Sequence, residues 1–360
     1  MKKSTNNAGN QKGKKRSAKK GLLIGLCVFL GLILVIGIAG IIYTESLLGL
    51  IGQTGNQGEL SQSEIDAFLE GEKDTMPEDF DGDIVDPDAL DWGSAPMIES
   101  SEDVINILLI GQDRRANEGN RARSDSMILC TLNKKTNTLT MTSFMRDMYV
   151  KIPGYQANRI NASYFLGGSK LLNETLAYNF GVKIDGNIEV DFFGCMKCID
   201  EIGGVEIELN QSEANYLNRH GNWDITNEGY WNLKAGKNLL TGSQAVAYSR
   251  IRYVGNGDFE RTERQRKVLT AIFNKCKSLS LVEMNNLLNK FLPNLSTDLS
   301  RQELLGYATT ILTTANKLTI QTQRIPADGT YSNSWISGMA VLLPDLEKNR
   351  ALLEGTLKAK

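Results

Sequence analysis

An uncharged apolar segment near the amino terminus constrains this chain more than any other feature. Residues 21–43 read GLLIGLCVFLGLILVIGIAGIIY and contain no charged side chain. At about 1.5 Å per residue, a helix of this length crosses the roughly 30 Å hydrocarbon core of a bilayer. A cleaved secretory signal has a shorter apolar stretch, about 7–15 residues, and then a small-residue cleavage site. We therefore predict one transmembrane anchor, and a single span excludes a multi-span transporter.

The charges that flank this segment predict its orientation. Residues 1–20 carry eight Lys or Arg and no acid, whereas residues 44–103 carry seventeen Asp or Glu and one Lys. Basic residues accumulate on the cytoplasmic side of a membrane span. We therefore expect residues 1–20 to be a cytoplasmic tail and everything after residue 43 to lie outside the cell membrane. Because topology accounts for the lysines, nucleic-acid binding is not expected.

The acidic stretch at 44–103 is poor in aromatic side chains and contains scattered glycines and prolines. A segment of this composition buries little apolar surface, so we predict a disordered, flexible linker. Only a few turns around 63–69 have helical character, with Ser63 as the cap. Two alternatives remain open, since the acids could collect cations or dock on the more basic domain that follows.

From Val104 onwards the pattern predicts a folded domain over residues 104–360. Short apolar runs alternate with stretches of helical spacing. Strands are expected at 104–111, 126–133, 137–145, 184–192, 203–210 and 317–325. Helices are expected at 162–180, 241–250, 259–277, 281–291, 300–316 and 345–357. This alternation predicts an α/β domain in which helices cover both faces of a mixed central sheet.

Several common catalytic sites are excluded. The chain has one histidine, His220, in a polar stretch, so Ser–His and Cys–His nucleophile arrangements are ruled out. Cys195 and Cys198 have C-x-x-C spacing, but without a second pair or a nearby histidine they lack the ligands of a zinc site. They are expected to be buried thiols.

Two carboxylates at the ends of predicted strands indicate a metal site. Asp113 follows the first strand and Asp125 opens the second. Because adjacent strand ends meet at one edge of a sheet, we expect the two side chains to lie close together. Hard oxygen ligands of this kind suit Mg²⁺ or Mn²⁺.

Arginines form the other part of the candidate site. Asp258, Arg261 and Gln265 fall on one face of a predicted helix, and Arg250 and Arg252 point the same way if their segment is extended. Several guanidinium forks beside a divalent ion match a pyrophosphate group. The alternative is surface salt bridging. The full set is Arg146, Arg250, Arg252, Asp258, Arg261 and Gln265.

The motifs that contain these residues resemble those of the LytR–CpsA–Psr family of bacterial cell-wall enzymes. They read NILLIGQD, RSDSMIL, SFMRD, RINASYFLGG, IDEIGGV and LTGSQAVAYSRIR, followed by GDFERTERQR. The similarity covers roughly residues 104–260, and an anchor with an extracellular domain is the family's usual layout. Phe144 and Met145 stand where the family often has a proline before the arginine, which leaves the Arg146–Asp147 pair intact.

The resemblance implies a membrane-anchored glycopolymer phosphotransferase of a Gram-positive bacterium. Its donor is a glycopolymer on a polyprenyl (undecaprenyl) pyrophosphate carrier, with teichoic acid and capsular polysaccharide among the candidates. Its acceptor is a hydroxyl of peptidoglycan, and the product is a phosphodiester. A lipid tail needs an apolar groove, which we expect between the sheet and the helix at 162–180.

The resemblance also implies roles for individual residues. Asp113 and Asp125 correspond to the metal carboxylates. Asn161 and Tyr164 lie in a matching motif without a clear role. The residues with implied catalytic roles are Asp113, Asp125, Arg146 and Asp258. The residues with implied pyrophosphate contacts are Arg146, Arg250, Arg252, Arg261 and Gln265.

Two rival functions use the same residues. The first is a hydrolase that cleaves the lipid pyrophosphate, with water in place of the sugar hydroxyl. The second is a non-catalytic membrane protein that binds polyprenyl-linked glycan and acts in regulation. A binding protein needs the arginines but not paired metal carboxylates, so the presence of both favours an enzyme.

Overall fold

The computed structural model describes residues 46–54, 60–112, 124–220, 231–314 and 317–358. The chain divides into two compact units, Met1–Gly49 and Leu50–Lys360, and the second contains the folded domain. The predicted anchor at 21–43 and its flanking tail lie outside the described residues. Among the helices that are described, none is long and apolar enough to cross a membrane.

The strands and helices follow the apolar periodicity of the sequence closely. The strands are β1 Gly52–Gln53, β2 Asp83–Ile84, β3 Val104–Gln112, β4 Ser124–Asn133, β5 Thr138–Phe144, β6 Tyr149–Val150, β7 Asn158–Arg159, β8 Gly186–Asp191, β9 Val205–Leu209, β10 Gly236–Leu240, β11 Leu295–Thr297, β12 Thr319–Ile325, β13 Tyr331–Ile336 and β14 Met339–Pro344. The helices are α1 Gln62–Gly71, α2 Ile160–Phe180, α3 Phe192–Glu201, α4 Gln211–His220, α5 Gly242–Arg250, α6 Asp258–Lys277, α7 Leu281–Phe291, α8 Arg301–Thr314 and α9 Leu346–Leu357. The predicted elements are confirmed to within a few residues. The elements that were not predicted are α4, the β13–β14 hairpin and the short strands β1, β2, β6, β7, β10 and β11.

A seven-stranded sheet forms the centre of the domain, in the order β1-β11-β8-β3-β4-β5-β12. β3 pairs in parallel with β8 and antiparallel with β4, which in turn pairs antiparallel with β5. β12 adds to β5 in parallel. The prediction of a mixed sheet is therefore confirmed. The carboxyl ends of β3, β5, β8 and β12 meet the amino end of β4 at one edge, which we call the carboxyl edge.

One face of this sheet is packed tightly against α2 and α9. Leu108 of β3 lies in a single buried cluster with Leu172 and Leu176 of α2 and Leu353 of α9. Burying a leucine side chain contributes about 1.5–3 kcal/mol, so this layer is a main source of stability. Side chains of the sheet and of α2 pack together in this layer, and the expected lipid groove between the sheet and α2 stays a prediction.

The opposite face of the sheet carries α6. Phe144 of β5 belongs to the first core, so its neighbour Ser143 points the other way. Arg266 of α6 donates a hydrogen bond from Nη1 to Ser143 Oγ at 2.7 Å, and α6 contacts both β5 and β12. Helices therefore cover both faces, as predicted.

Part of the acidic stretch is folded on the domain. α1 begins with a capping box at Ser61 rather than at Ser63. The ring of Phe68 in α1 stacks on Phe165 of α2, with centroids 4.0 Å apart, and β2 pairs in parallel with β13. The prediction of a disordered linker therefore does not hold for residues 60–103. The average composition does not reveal that a few apolar side chains of this stretch pack against residues far along the chain.

Candidate functional site

Three carboxylates and three arginines converge at the carboxyl edge. Asp125 is the second residue of β4, and Arg146 follows β5 by two residues. Gly257 has φ +56, a conformation that glycine adopts readily, and it precedes the first residue of α6, Asp258. The six residues are Asp125, Arg146, Asp147, Arg252, Asp258 and Arg261, and we call them the arginine cluster.

Arg146 lies between three acids of the cluster. Its Nη1 contacts Asp125 Oδ1 at 3.0 Å, while its Nε lies 3.4 Å from Asp258 Oδ2 and 3.5 Å from Asp147 Oδ1. A planar guanidinium can face several oxygens at once because its donors point outward in a fork. Arg146 therefore links the end of β5 to β4 and α6.

The remaining arginines share the same carboxylates. Asp258 receives Arg261 Nη2 at 2.7 Å and faces Arg252 Nε at 3.5 Å. Arg252 Nη2 also lies 3.6 Å from Asp125 Oδ2. Each arginine is thus held by a carboxylate that another arginine also contacts, which keeps three guanidinium groups close together despite their repulsion.

Donor groups in this cluster remain unsatisfied. Arg261 is only 2% exposed, yet its Nε makes no hydrogen bond to any described residue. The Nε of Arg146 faces two carboxylates at 3.4 and 3.5 Å but makes no hydrogen bond to either. The amide oxygen of Gln265, one turn along α6, is also buried without a partner in the described part of the chain. An unmet buried polar group typically costs about 1–3 kcal/mol. Phosphate oxygens would satisfy the guanidinium donors, so the cluster has the chemistry of an anion site.

Burial and charge together set the pKa values of the cluster. Burial alone would raise the pKa of Asp125, but Arg146, Arg261 and Arg252 lower it below the ordinary value. Burial raises the pKa of Asp147 despite Arg146, and Asp258 adds to the rise. Burial also lowers the pKa of Arg261 to about 10. Asp125 is therefore a firmly ionised group, and Asp147 is the carboxyl with the greater tendency to take a proton.

Arg250 lies apart from these ion pairs. It is the last residue of α5, which agrees with the helix predicted at 241–250, so Arg250 and Arg252 do not share the extended segment that would point them the same way. Its guanidinium lies over the ring of Phe192, 4.6 Å from the ring centroid, at the start of α3. Because α3 follows β8, Arg250 still lies near the carboxyl edge, and its contact with pyrophosphate stays a prediction.

Sequence reasoning missed Asp147 and Arg159 as site residues. Arg159 Nε lies 3.9 Å from Asp147 Oδ1, and its Nη1 donates a 3.2 Å hydrogen bond to the carbonyl oxygen of Glu72. Its Nη2 also bonds to the carboxylate of Asp74. The signal in the sequence was the charged residue within each of two quoted motifs, Asp147 in SFMRD and Arg159 in RINASY. The contacts with Glu72 and Asp74 span more than 80 residues, which sequence spacing does not reveal.

Tyr164 and Asn161 lie behind the cluster rather than in it. The side-chain amide of Gln112, at the end of β3, donates to Tyr164 Oη and to Glu189 Oε2, the latter at 2.8 Å. The backbone N–H of Asn161 donates to the Arg146 carbonyl at 3.4 Å. Asn161 therefore holds the backbone of Arg146, and Tyr164 contacts the side chain at the end of β3.

The predicted metal site rests on one described carboxylate. Asp113 lies outside the described residues, and the described residues contain no group of three or more potential His, Cys, Asp or Glu ligands. Asp125 is an ionised hard oxygen donor, which fits Mg²⁺ or Mn²⁺. Gln112, the residue before Asp113, is in register with Ser124, the residue before Asp125.

Asp125→Asn and Asp147→Asn are expected to change stability in opposite directions at neutral pH. Ionised Asp125 stabilises the fold fully at pH values above the ordinary aspartate pKa of 3.8. This contribution is lost as pH falls through the lowered pKa of Asp125 in the folded protein. Ionised Asp147 destabilises the fold above its raised pKa, and the penalty disappears below 3.8. We expect Asp125→Asn to lower the melting temperature by roughly 2–8 °C at pH 7.5. Asp147→Asn should leave it equal or higher.

Thermal unfolding followed by circular dichroism between pH 3 and 8 measures both effects. The Asp147→Asn difference should shrink as pH falls from neutral towards 3.8, whereas the Asp125→Asn difference should shrink only below about 4. Equal losses of melting temperature in both variants across this range would contradict the assignment of charge within the cluster.

Comparison with known proteins identifies the family. The LytR_cpsA_psr family model matches residues 70–356. The chain belongs to the LytR–CpsA–Psr family. The match starts inside α1, well before Val104, which agrees with the folding of the preceding segment onto the domain. The resemblance seen in the sequence motifs is thereby confirmed.

Two sequence relatives and one solved structure are similar to this chain over most of its length. It is 32% identical over 269 residues to the polyisoprenyl-teichoic acid–peptidoglycan teichoic acid transferase TagU of Oceanobacillus iheyensis, covering 72% of this chain and 78% of that protein. It is 29% identical to biofilm regulatory protein A of Streptococcus mutans, covering 74% and 67%. A solved structure, TagT bound to LIIa-WTA, shares 27% identity with a TM-score of 0.57 and covers 74% of this chain and 96% of its own.

Proposed function

We propose that this protein transfers a glycopolymer from a polyprenyl pyrophosphate carrier to peptidoglycan and forms a phosphodiester. The observation that carries the proposal is the arginine cluster, in which buried guanidinium Nε atoms have no hydrogen bond among the described residues. Membership of the family supports it, since the similar TagU is named as a teichoic acid transferase and the similar TagT was solved with LIIa-WTA.

The reaction is a displacement at phosphorus. An acceptor hydroxyl oxygen attacks the phosphorus that carries the sugar, a new P–O bond forms, and the bond to the bridging oxygen breaks. Polyprenyl phosphate leaves with the bonding electrons, and the hydroxyl proton passes to a base. The arginines bind both phosphates and stabilise the charge that grows on them. Positioning of donor and acceptor supplies much of the remaining acceleration.

The carboxylates of the arginine cluster have different roles in this reaction. Asp258 was expected to be catalytic, and Asp113 and Asp258 were both candidates for the base. In the structure both oxygens of Asp258 face arginines at 2.7–3.5 Å, so its task is to hold Arg146, Arg252 and Arg261 in place. Burial raises the pKa of Asp147. Among the carboxyl groups that the structure describes, Asp147 is therefore the best candidate for the base that accepts the hydroxyl proton.

The cofactor in this proposal is Mg²⁺ or Mn²⁺. Asp125, together with Asp113 outside the described residues, would hold the ion. When bound, the ion would neutralise charge on the transferred phosphate.

The proposed location is the cell membrane of a Gram-positive bacterium. The charge step around residues 21–43 supports a single span with a cytoplasmic amino terminus. The domain would then lie outside the cell, where peptidoglycan is available.

Both rival functions remain distinguishable from transfer. A lipid-pyrophosphate hydrolase would use the same arginines and release free glycopolymer phosphate. A regulatory binding protein, as the name of the Streptococcus mutans relative suggests for that protein, would bind the lipid without turning it over. The ionised Asp125 within the cluster favours chemistry, because a carboxylate weakens simple anion binding.

Arg252→Lys tests the pyrophosphate site. The Arg252 side chain is 38% exposed and reaches two carboxylates at 3.5 and 3.6 Å. Lysine keeps the charge but loses the fork, so we expect affinity for polyprenyl pyrophosphate in detergent to fall about 10- to 150-fold. The melting temperature should change little. Unchanged affinity, measured by fluorescence titration, would argue against the arginine cluster as the pyrophosphate site.

A further inference from the structure

Arg159 connects the acidic stretch to the carboxylates of the arginine cluster. It is the last residue of β7 and directly precedes α2, and its side chain is only 13% exposed. Its Nη1 donates to the Glu72 carbonyl at 3.2 Å and lies 3.6 Å from the Glu72 carboxylate. Its Nη2 donates to the Asp74 carboxylate and, at 2.9 Å, to the Ala340 carbonyl. Because both terminal nitrogens already bond to protein oxygens, Arg159 is poorly placed to bind a phosphate itself.

The third nitrogen of Arg159 faces Asp147. This Nε is buried and makes no hydrogen bond to the described residues, and it lies 3.9 Å from Asp147 Oδ1. Arg146 Nε approaches the same oxygen at 3.5 Å, and 28% of the Asp147 side chain is exposed. Two guanidinium groups at one oxygen fix the orientation of the carboxylate, and the other oxygen can then accept a proton.

Strand β14 holds both residues of this contact. The backbone N–H of Leu342 donates to the Asp147 carbonyl at 3.0 Å, and two residues earlier the Ala340 carbonyl accepts from Arg159 Nη2. Asp74 lies on the other side of Arg159, where its carboxylate accepts from the Ala340 N–H at 3.0 Å. The N–H of Asp74 also donates into the β13–β14 turn at 2.8 Å. The position of Arg159 therefore depends on the acidic stretch as well as on the domain.

We propose that Arg159 is a positioning residue for the reaction, and that Glu72 and Asp74 hold it against Asp147. The inference rests on the proposed function, in which Asp147 accepts the proton of the acceptor hydroxyl. Glu72 is only 4% exposed, and a glutamate is almost never so buried unless it is paired. The alternative is a set of ion pairs that only fastens the acidic stretch to the domain. That alternative predicts lower stability without any change at Asp147.

Asp74→Asn tests the contribution of the acidic stretch. The Asp74 side chain is 40% exposed, so the variant should fold, and the neutral amide weakens the hold on Arg159. We expect the single-turnover rate of glycan transfer by the full chain in detergent to fall roughly 10- to 100-fold, because slight misplacement of a reacting group costs this much. Affinity for polyprenyl pyrophosphate should stay at the wild-type level. The control is Asp66→Asn, since Asp66 is an exposed acid of α1 that accepts from Gln62 Nε2 at 2.8 Å.

Arg159→Gln separates positioning from simple fastening. Burial raises the pKa of Asp147, and the Arg159 charge works against that rise. Arg146, Asp258 and Arg261 also act on Asp147, and the variant keeps them. Loss of the Arg159 charge should therefore raise the pKa of Asp147 and move the acidic limb of the pH–rate profile to higher pH. A carboxyl ¹³C NMR titration of the full chain, assigned with Asp147→Asn, measures the same shift without turnover.

Wild-type transfer rates in both Asp74→Asn and Arg159→Gln would overturn the proposal, as would an Asp147 pKa that Arg159→Gln leaves unchanged. Lipid affinity that falls in step with the rate in Arg159→Gln would assign Arg159 to substrate binding and overturn it too. Should Arg159→Gln not fold, the comparison of Asp74→Asn with Asp66→Asn decides alone. A shifted Asp147 pKa in a chain whose wild type never transfers glycan would refute the enzyme function and leave the Arg159–Asp147 assignment standing.

Discussion

Replacing Arg146 with lysine is expected to lower glycopolymer transfer by about two to three orders of magnitude. The guanidinium of Arg146 contacts Asp125, Asp147 and Asp258 at 3.0–3.5 Å, and a lysine ammonium cannot reach all three. Loss of one preorganised donor where charge develops costs about 10²–10³ in rate. The measurement is single-turnover transfer from labelled lipid-linked glycan.

A matched variant controls for general effects of the Arg→Lys change. Arg350→Lys alters a partly buried arginine of α9 whose ion pair is with Glu354 and with no residue of the arginine cluster, and should transfer at the wild-type rate. If Arg146→Lys and Arg350→Lys were equally active, Arg146 would have no part in the reaction.

Replacing Asp125 with asparagine is expected to abolish transfer while lipid binding is retained or becomes tighter. The carboxylate now occupies Arg146 at 3.0 Å and Arg252 at 3.6 Å, so its removal frees donors for phosphate. At the same time it removes one of the two proposed metal ligands, and calorimetric titration should show much weaker Mg²⁺ binding.

The control for this variant is Asp103→Asn. Asp103 is exposed and precedes β3 at the opposite end of the sheet, 4.0 Å from Lys134, so it should bind Mg²⁺ and transfer glycan like the wild type. If Mg²⁺ bound equally to wild type, Asp103→Asn and Asp125→Asn, then Asp125 would not be a metal ligand.

The sequence allowed the sheet and the cluster to be predicted because both depend on local patterns. An apolar run such as the one from Val104 to Gly111 predicts a buried strand without knowledge of which strand pairs with it. Asp125 and Arg146 lie at the ends of two such strands, which places them at the same edge of the sheet. Asp258 and Arg261 are three residues apart in a helix, and their 2.7 Å contact follows from that spacing.

Other features depended on contacts between distant parts of the chain. The acidic stretch folds because the domain supplies Phe165 and Arg159 as partners for Phe68 and Asp74, and composition cannot show such partners. The position of Arg250 was missed because its contact with the Phe192 ring joins two helices that lie far apart in the sequence.

The most direct test of transfer follows radiolabelled lipid-linked glycan and a peptidoglycan oligomer with the purified full chain and Mg²⁺. The account predicts that label moves to the oligomer through a phosphodiester, that polyprenyl phosphate is released in equal amount, and that a chelator stops both. Label released as free glycan phosphate would identify a hydrolase instead. Lipid that binds tightly but never loses its label, with several acceptors offered, would contradict the enzyme and leave a binding protein.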